Sequence, residues 1–436
     1  MKTFRQGGIH LKENKFAHTI PVDIFPLPEQ AILYLAQHIG APSEAVVSKG
    51  DFVKTGQLIA KASGFVSANL HSPYTGTVAS IEEVEDSSKN KKMAIIIDVI
   101  EDQWIEDIDT SDELKREISL SSKEIIDKIK EKGIVGLGGA CFPTHVKLTI
   151  PEGKKAEYCI INAAECEPYI SVDNRILIER TEEFLIGARI LQTALGLSTV
   201  DIGIENNKPE AIEKVKEAAS HFEGIRVHVL QTKYPQGSEK QLIKAITNRE
   251  VPAGKLPIDA GCVVDNVATA LAVYEAVQKN KPLIETYLTY SGEAVQHRNY
   301  RVRLGTSIRQ IIMDTGGFAP NTEKLICGGP MMGKIISNWD ACITKGFSSL
   351  LQLDSKMVKR LTPLPCIRCG ACVDVCVMGL EPYLLAKLVQ KTRWKSAKSK
   401  AIMSCIECGA CQYICPAYCL LLDDIRLGKK KVMELK

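Results

Sequence analysis

The period of the apolar positions changes several times along the chain, and each change predicts a different kind of element. Between residues 40 and 100 apolar positions fall in short β-like runs: Ala45-Val-Val, Gly50 to Ala60 and Leu70 to Val78. Turns at Gly50-Asp51 and Pro73 to Gly76 break them, as in a small barrel. From 122 to 280 the pattern alternates between longer units. A helix over Ser122 to Lys132 is followed by an apolar strand, Glu157-Tyr-Cys-Ile-Ile-Asn162, and by β-like Asp201 to Glu205. Helix Lys208 to Ala219, β-like Ile225 to Leu230 and a helix opening at Val264-Asp-Asn-Val-Ala-Thr269 complete a βαβ alternation that predicts a parallel sheet. Residues 283 to 350 carry two strands, one helix at Ile308 to Thr315 and a glycine-rich return, Lys324 to Gly333. Leu380, Leu384, Leu385 and Leu388 lie on one face of a helix expected over Leu380 to Met403. Ahead of all this, Gly7-Gly8 with Pro21, Pro26 and Pro28 marks an extended arm that lies on something else. The predicted fold is multidomain α/β, divided as 1–38 (arm), 39–105 (barrel), 120–280 (α/β), 283–350 (smaller unit) and 360–425 (cysteine-rich, helical).

Composition narrows the function. A formal net charge of +3 over 436 residues is close to balance and argues neither for nucleic acid nor for an acidic partner, so no nucleic-acid partner is expected. The chain opens on polar residues rather than a signal peptide. Its apolar runs, such as Ala417 to Leu422, fall well short of the ~20 residues of a membrane span. Fifteen cysteines, an odd number, fit a reducing compartment better than a disulfide framework.

Eight of those cysteines form two C-x2-C-x2-C-x3-C runs, Cys366, Cys369, Cys372, Cys376 and Cys405, Cys408, Cys411, Cys415, the second followed by Pro416. Two tetrahedral zinc sites are the competing reading, but zinc pairs separated C-x2-C knuckles and has no use for the third and fourth cysteines at these spacings. The spacing predicts two 4Fe-4S clusters with crossed ligation. Cys366, Cys369, Cys372 and Cys415 would hold the first; Cys405, Cys408, Cys411 and Cys376 the second. Cys419 is a spare thiol, and Cys327 and Cys342 are expected in cores.

Other candidate chemistry lies in the α/β unit. Gly136, Gly138 and Gly139 let backbone approach a ligand and turn N–H groups toward an anion, and Lys147 adds a positive charge one turn into the next helix. A glycine-rich helix cap is the bland alternative. The strand ending at Asn162 empties into Ala163-Ala-Glu165-Cys-Glu167-Pro168, and open α/β sheets bind ligands beyond the carboxyl ends of their strands.

Taken in order, Gly136 to Thr144 with Lys147, Asn162 to Pro168, Tyr234 with Gly237 and Glu239, and Asn266 to Thr269 resemble the FMN and NADH site of the flavoprotein subunit of respiratory complex I. That resemblance implies a Rossmann-like domain in which Gly136, Gly138, Gly139, Lys147, Asn162, Asn266 and Thr269 hold FMN. Phe142, Glu165, Glu167, Tyr234 and Glu239 would face the nicotinamide nucleotide, the two glutamates as catalytic residues. The chain departs from that pattern at Leu137 (arginine there), Cys141 (glycine), and Ala164, Ala268 and Ser238 (acids). The barrel resembles a biotinyl/lipoyl-type barrel-sandwich hybrid whose hairpin tip, Ala62 to Asn69, lacks the attachment lysine. Residues 283–350 resemble an SLBB β-grasp domain.

From end to end the arrangement resembles the C-subunit family of Rnf complexes, the ion-translocating ferredoxin:NAD oxidoreductases of bacterial membranes. The resemblance implies FMN, two 4Fe-4S clusters, NAD(H) as substrate, other Rnf subunits (membrane and iron–sulfur) as partners with ferredoxin reached indirectly, and a peripheral place on the cytoplasmic face of the inner membrane. The competing readings are a cobalamin reductase of propanediol microcompartments and a flavin-free electron wire. The basic stretch Lys391 to Lys400 and the tail Arg426 to Lys431 suit anionic lipid, an acidic partner or plain solvent equally.

Overall fold

The strand Tyr158–Ala163 is apolar up to Asn162 near its end because both its faces are covered. In the computed structural model, which describes residues 1–436 apart from Ala294, Arg360 and Lys436, it lies inside a four-stranded parallel sheet. The order is Ile225–Leu230, Val200–Glu205, Tyr158–Ala163, Cys262–Asn266. Cys159, Ile161 and Ala163 face a large core formed with helices Ser122–Glu131, Val172–Glu179, Thr181–Ala194 and Val267–Gln278, while Ile160 faces helix Glu239–Thr247. Helices Thr181–Ala194 and Val267–Gln278 meet at Gly187, where a Cβ would stand 1.9 Å from the carbonyl oxygen of Ala270. The chain leaves Tyr158–Ala163 toward one edge and returns on its other side at Cys262–Asn266. The switch point of the sheet therefore falls between the ends of these two strands, at Asn162 and Asn266.

The barrel consists of a four-stranded sheet and a three-stranded one closed around Leu33, Val53, Ile59, Leu70, Val78, Ile95 and Ile97. Its sheet takes in Gln30–Tyr34, so barrel structure begins inside the stretch expected to be arm; this strand pairs antiparallel with Lys91–Glu101. The third unit is a six-stranded mixed sheet with helix Ile308–Asp314 packed on it. It borrows arm strand Val22–Ile24 as an edge and continues to Asp354, past the expected end at 350. Lys345, fully buried, joins three units by donating to the carbonyls of Asn69 and Gly133 at 2.9 and 2.8 Å while its own N–H meets Gln37.

In the cysteine-rich unit the long helix expected over Leu380 to Met403 is broken. Helix Pro382–Gln390 ends at Thr392, which has φ +54°, and the chain reverses into Trp394–Ser399 and a 3-10 turn at Ile402–Ser404. The reversal buries Ala397 and Ile402 against Leu385, Val389 and Ile425 on the last helix, Leu421–Glu434, which runs beyond the expected end of the unit at 425. A single straight helix would leave those side chains in water. No helix among the described residues is long and apolar enough to cross a membrane.

Candidate functional site: a flavin cleft joined to two cysteine cages

The glycine loop lies over the switch point. The N–H of Leu137 donates to Thr269 Oγ1 at 2.9 Å, which pins the loop to the first turn of helix Val267–Gln278. Leu137 turns its side chain into the core, where an arginine could not be solvated. A Cβ on Gly138 would stand 3.3 Å from Asn266 Cβ, and Gly139, at φ +107°, has open space where a side chain would be. Cys141 adopts φ +51°, a conformation that favours glycine, and its thiol fills the space over Gly346. Asn266 caps the helix by accepting from Ala268 N at 2.8 Å and donates through Nδ2 to Asp173 at 2.7 Å.

Lys147 reaches this floor, bonding the carbonyl of Val264 at 2.8 Å and Asp265 Oδ1 at 3.2 Å. Asp265 is buried and its second oxygen has no hydrogen-bond partner. The Asp265 and Glu239 carboxylates more than offset the effect of burial on the Lys147 ammonium, whose pKa is raised. A bare glycine cradle, a helix N-terminus and a permanent cation form a donor set for a phosphate-bearing ligand, so these residues fit FMN. Asn162 donates to the carbonyl of Gly237 at 2.7 Å, tying the strand end to the Tyr234–Gly237 turn. Phe142 stays half-buried at the end of the loop, its carbonyl bound by Gly136 N at 2.9 Å.

The residues expected to face the nucleotide divide into two groups. Glu239, with Lys147, Asp265 and the cradle, belongs to the cleft. Glu165 turns inward: its Oε1 accepts the N–H of Asp173 at 2.7 Å, and its Oε2 stands 3.6 Å from Lys15 of the arm. Glu167 and Tyr234 lie at a joint. Glu167 accepts the N–H groups of Met331 and Met332 at 3.1 and 2.8 Å, so both its oxygens hold the glycine-rich return of the third unit. Burial pushes its pKa up to about 7. Tyr234, 2% exposed, donates its hydroxyl to the carbonyl of Cys408 at 2.8 Å.

That bond leads to the cages. Cys376, Cys405, Cys408 and Cys411 line one cavity, roofed by Leu380, Leu422 and Ile425; Cys366, Cys369, Cys372 and Cys415 line another. Each run's fourth cysteine thus stands with the first three of the other run. Cys372 and Cys411 share one apolar cluster, so the cavities adjoin. The two ligand loops have the same backbone: Arg368 and Glu407 at φ +56° and +58°, Gly370 and Gly409 at +83° and +79°. Among the described residues no three His, Cys, Asp or Glu side chains converge closely enough for one metal ion; the thiols spread around the walls. Eight soft thiol donors around two adjoining hollows fit two cuboidal clusters. Cys419 joins the wall of the second cavity.

Sequence reasoning missed Lys15, Asp173 and Lys208. Lys15 Nζ binds the carbonyls of Glu165 and Glu167 at 2.7 and 2.9 Å, and Lys208 Nζ that of Ala164 at 2.6 Å; both are long-range contacts that no local motif announces. Asp265 carried a signal: an acid inside an apolar strand, beside a motif already singled out.

Fold and site together define a flavoprotein-type domain fused to a dicluster ferredoxin, and the family comparisons say the same. Residues 129–275 match the Nuo51 FMN-binding domain, 2–102 the RnfC barrel sandwich hybrid domain and 357–416 a 4Fe-4S dicluster domain. The chain belongs to the RnfC family. It is 44% identical over 92% of its length to the C subunit of the proton-translocating ferredoxin:NAD(+) oxidoreductase complex of Clostridium ljungdahlii, covering 87% of that protein. It is 40% identical over 99% of its length to the Na(+)-translocating counterpart from Acetobacterium woodii, covering 97%. To the C subunit of the ion-translocating oxidoreductase complex of Rhodobacter capsulatus it is 38% identical over 98%, covering 83%. Among solved structures, an NAD+-reducing [NiFe]-hydrogenase chain shares the fold, with TM-score 0.52 at 16% identity over 72% of this chain and 66% of that one.

Proposed function

We propose that this protein is the electron-transfer subunit at which an ion-translocating ferredoxin:NAD+ oxidoreductase complex exchanges electrons with NAD(H). Bound FMN would supply the interconversion of a hydride and two single electrons, chemistry that iron–sulfur clusters lack. The cradle of Gly136, Gly138 and Gly139, with Lys147, Thr269 and Asn266, holds the cofactor's anionic end. Glu239 and Phe142 shape the face toward the nicotinamide nucleotide, Glu165 braces the loop behind it from within, and Asn162 fixes the strand end beneath it. Glu167 and Tyr234 join this cleft to the ferredoxin unit. Cys405, Cys408, Cys411 and Cys376 hold the inner cluster; Cys366, Cys369, Cys372 and Cys415 hold the outer one, which hands single electrons to partner iron–sulfur and membrane subunits. The chain sits peripherally on the cytoplasmic face, and ion movement belongs to the partners.

The observation that carries this reading is the 2.8 Å bond from Tyr234 in the cleft's turn to the backbone of Cys408. It puts one cage directly behind the flavin domain and leaves the other outermost. The test is an anaerobic NADH titration of the FMN- and iron-loaded protein followed by EPR, in which both clusters become reduced. Lys147→Ala lowers FMN retention at least ~10-fold, the loss of about one charge-assisted contact. Protein that retains no FMN, or whose clusters NADH leaves oxidised, overturns the reading.

A further inference from the structure

The proposed function leaves a proton to be accounted for. NADH gives NAD+, one proton and two electrons; the electrons leave singly through thiolate-held clusters, which carry no proton. The proton must reach water by another route, and enter by it when the reaction runs toward NADH.

Resting on that function, we propose that Asp173 exchanges this proton with the flavin cleft and that Glu165 relays it to a water-filled cavity beneath the N-terminal arm. Asp173 stands in the first turn of helix Val172–Glu179. Its carboxylate accepts Asn266 Nδ2 at 2.7 Å, and Asn266 is the side chain against which Gly138 of the cradle rests. Asp173 is therefore one side chain from the ligand's place. Its own N–H meets Glu165 Oε1 at 2.7 Å. Glu165 Oε2, on a side chain only 4% exposed, has no hydrogen-bond partner.

The same Glu165 lines a cavity of about 240 Å³ walled by His10, Glu13, Lys15, Glu205 and Lys233, with room for several waters at roughly 30 Å³ each. Asp173 and Glu165 thus lie between cradle and cavity, close enough for the Glu165 charge to act on Asp173, and Glu205 follows on the cavity wall. The groups facing Asp173 explain its readiness: burial and the Glu165 charge raise its pKa, and the Asn266 bond, Lys208 and Lys15 lower it, leaving it at about 7. Glu205, on the cavity wall, is also pushed up to about 7, chiefly by burial. The carboxyls at the two ends of the route, Asp173 and Glu205, are therefore raised alike. Lys15 is a positioning residue: its ammonium is occupied by the backbone carbonyls of Glu165, Glu167 and Ile170 and fixes the loop that carries Glu165.

The test uses the full chain loaded with FMN and both clusters, as wild type, Asp173→Asn and Asp173→Glu. Spectroelectrochemical titration of the flavin between about pH 5 and 9 should show a change in the slope of potential against pH near pH 7 in the wild type and the Glu variant, and none in Asp173→Asn. Infrared difference spectra on NADH addition should contain a protonated-carboxyl band that Asp173→Asn lacks. Transfer of electrons from flavin to clusters should slow by roughly 10²-fold in that variant. Identical slopes and carboxyl bands in wild type and Asp173→Asn would falsify the route while leaving the proposed function intact; a wild type that retains no FMN removes both. Should Asp173→Asn not fold, Glu165→Gln decides: slowed transfer with the Asp173 band retained supports the relay, and an unchanged rate overturns it.

Discussion

The two cysteine cages share one backbone and differ in what surrounds them. Around the inner loop, Glu407 is held by Arg426 and Lys429, and Lys429 also bonds the carbonyl of Cys405 at 2.9 Å. Tyr234 holds Cys408, and a Cβ on Gly409 would stand 3.3 Å from the carbonyl of Met331. Around the outer loop, Cys366 and Cys369 are exposed, Ile367 is 67% exposed, and Leu361, Leu364 and Tyr418 present further apolar surface. Local sequence sets the shape of a ligand loop; its neighbours decide whether the cluster faces another cofactor or the outside.

Removing single ligands should break this comparison most sharply. Cys366→Ala is expected to abolish the outer EPR signal and leave the inner cluster reducible by NADH. Cys405→Ala should abolish the inner signal and also strand the outer cluster in its oxidised form, with about half the iron lost in each variant. If the outer cluster is still reduced at wild-type rate in Cys405→Ala, the order of the cages is wrong.

The link through Glu167 should give the inner side a pH dependence. Its pKa in the folded protein is raised from 4.5 to about 7, so the native state binds more protons than the unfolded chain across that window. Stability from this group is therefore lost as pH rises from 4.5 to 7. Denaturant unfolding should show the wild type losing on the order of 2 kcal/mol more than Glu167→Gln across the window. Equal slopes would show that Glu167 titrates normally.

A smaller effect is expected of Tyr234→Phe, which removes one hydrogen bond to the inner loop. Roughly 1 kcal/mol of differential stabilisation corresponds to a shift on the order of 40 mV in the inner cluster's potential. Redox titration should find the outer cluster unmoved. Smallest of all, Ile367→Ser should change stability by less than about 0.5 kcal/mol, as exposed substitutions do. It should nonetheless slow electron transfer from the outer cluster to the partner subunits in the reconstituted complex; an unaltered rate would remove this face from consideration as the exit.

Legibility followed the range of the interactions. Three of the four parallel strands were readable as short β-like runs between helical patterns; the fourth, Cys262–Asn266, was not, because Val264 to Asn266 was read as the opening of the helix that begins at Val267. The pairing of Cys376 with the second run was readable because the spacing of four cysteines constrains geometry by itself. The break at Thr392 was not, since the leucine face of Leu380 to Leu388 continues smoothly into a segment whose partners, Ile425 and Val432, lie on a helix formed later in the chain. The inward turn of Glu165 was equally hidden. Its orientation is set by Lys15, 150 residues away, and by the N–H of Asp173. Strand ends announce where a ligand sits; which acid turns toward it is decided by packing from elsewhere.

The N-terminal arm ties the units together: Lys2 bonds Val229, Gly8 bonds Val375 beside Cys376, and Ile9 bridges Tyr234. The contacts with Val229 and Tyr234 need only the α/β unit, whereas the one with Val375 needs the ferredoxin unit in place as well. One short strap therefore spans the joint between the two redox units, and loosening either unit would free part of it.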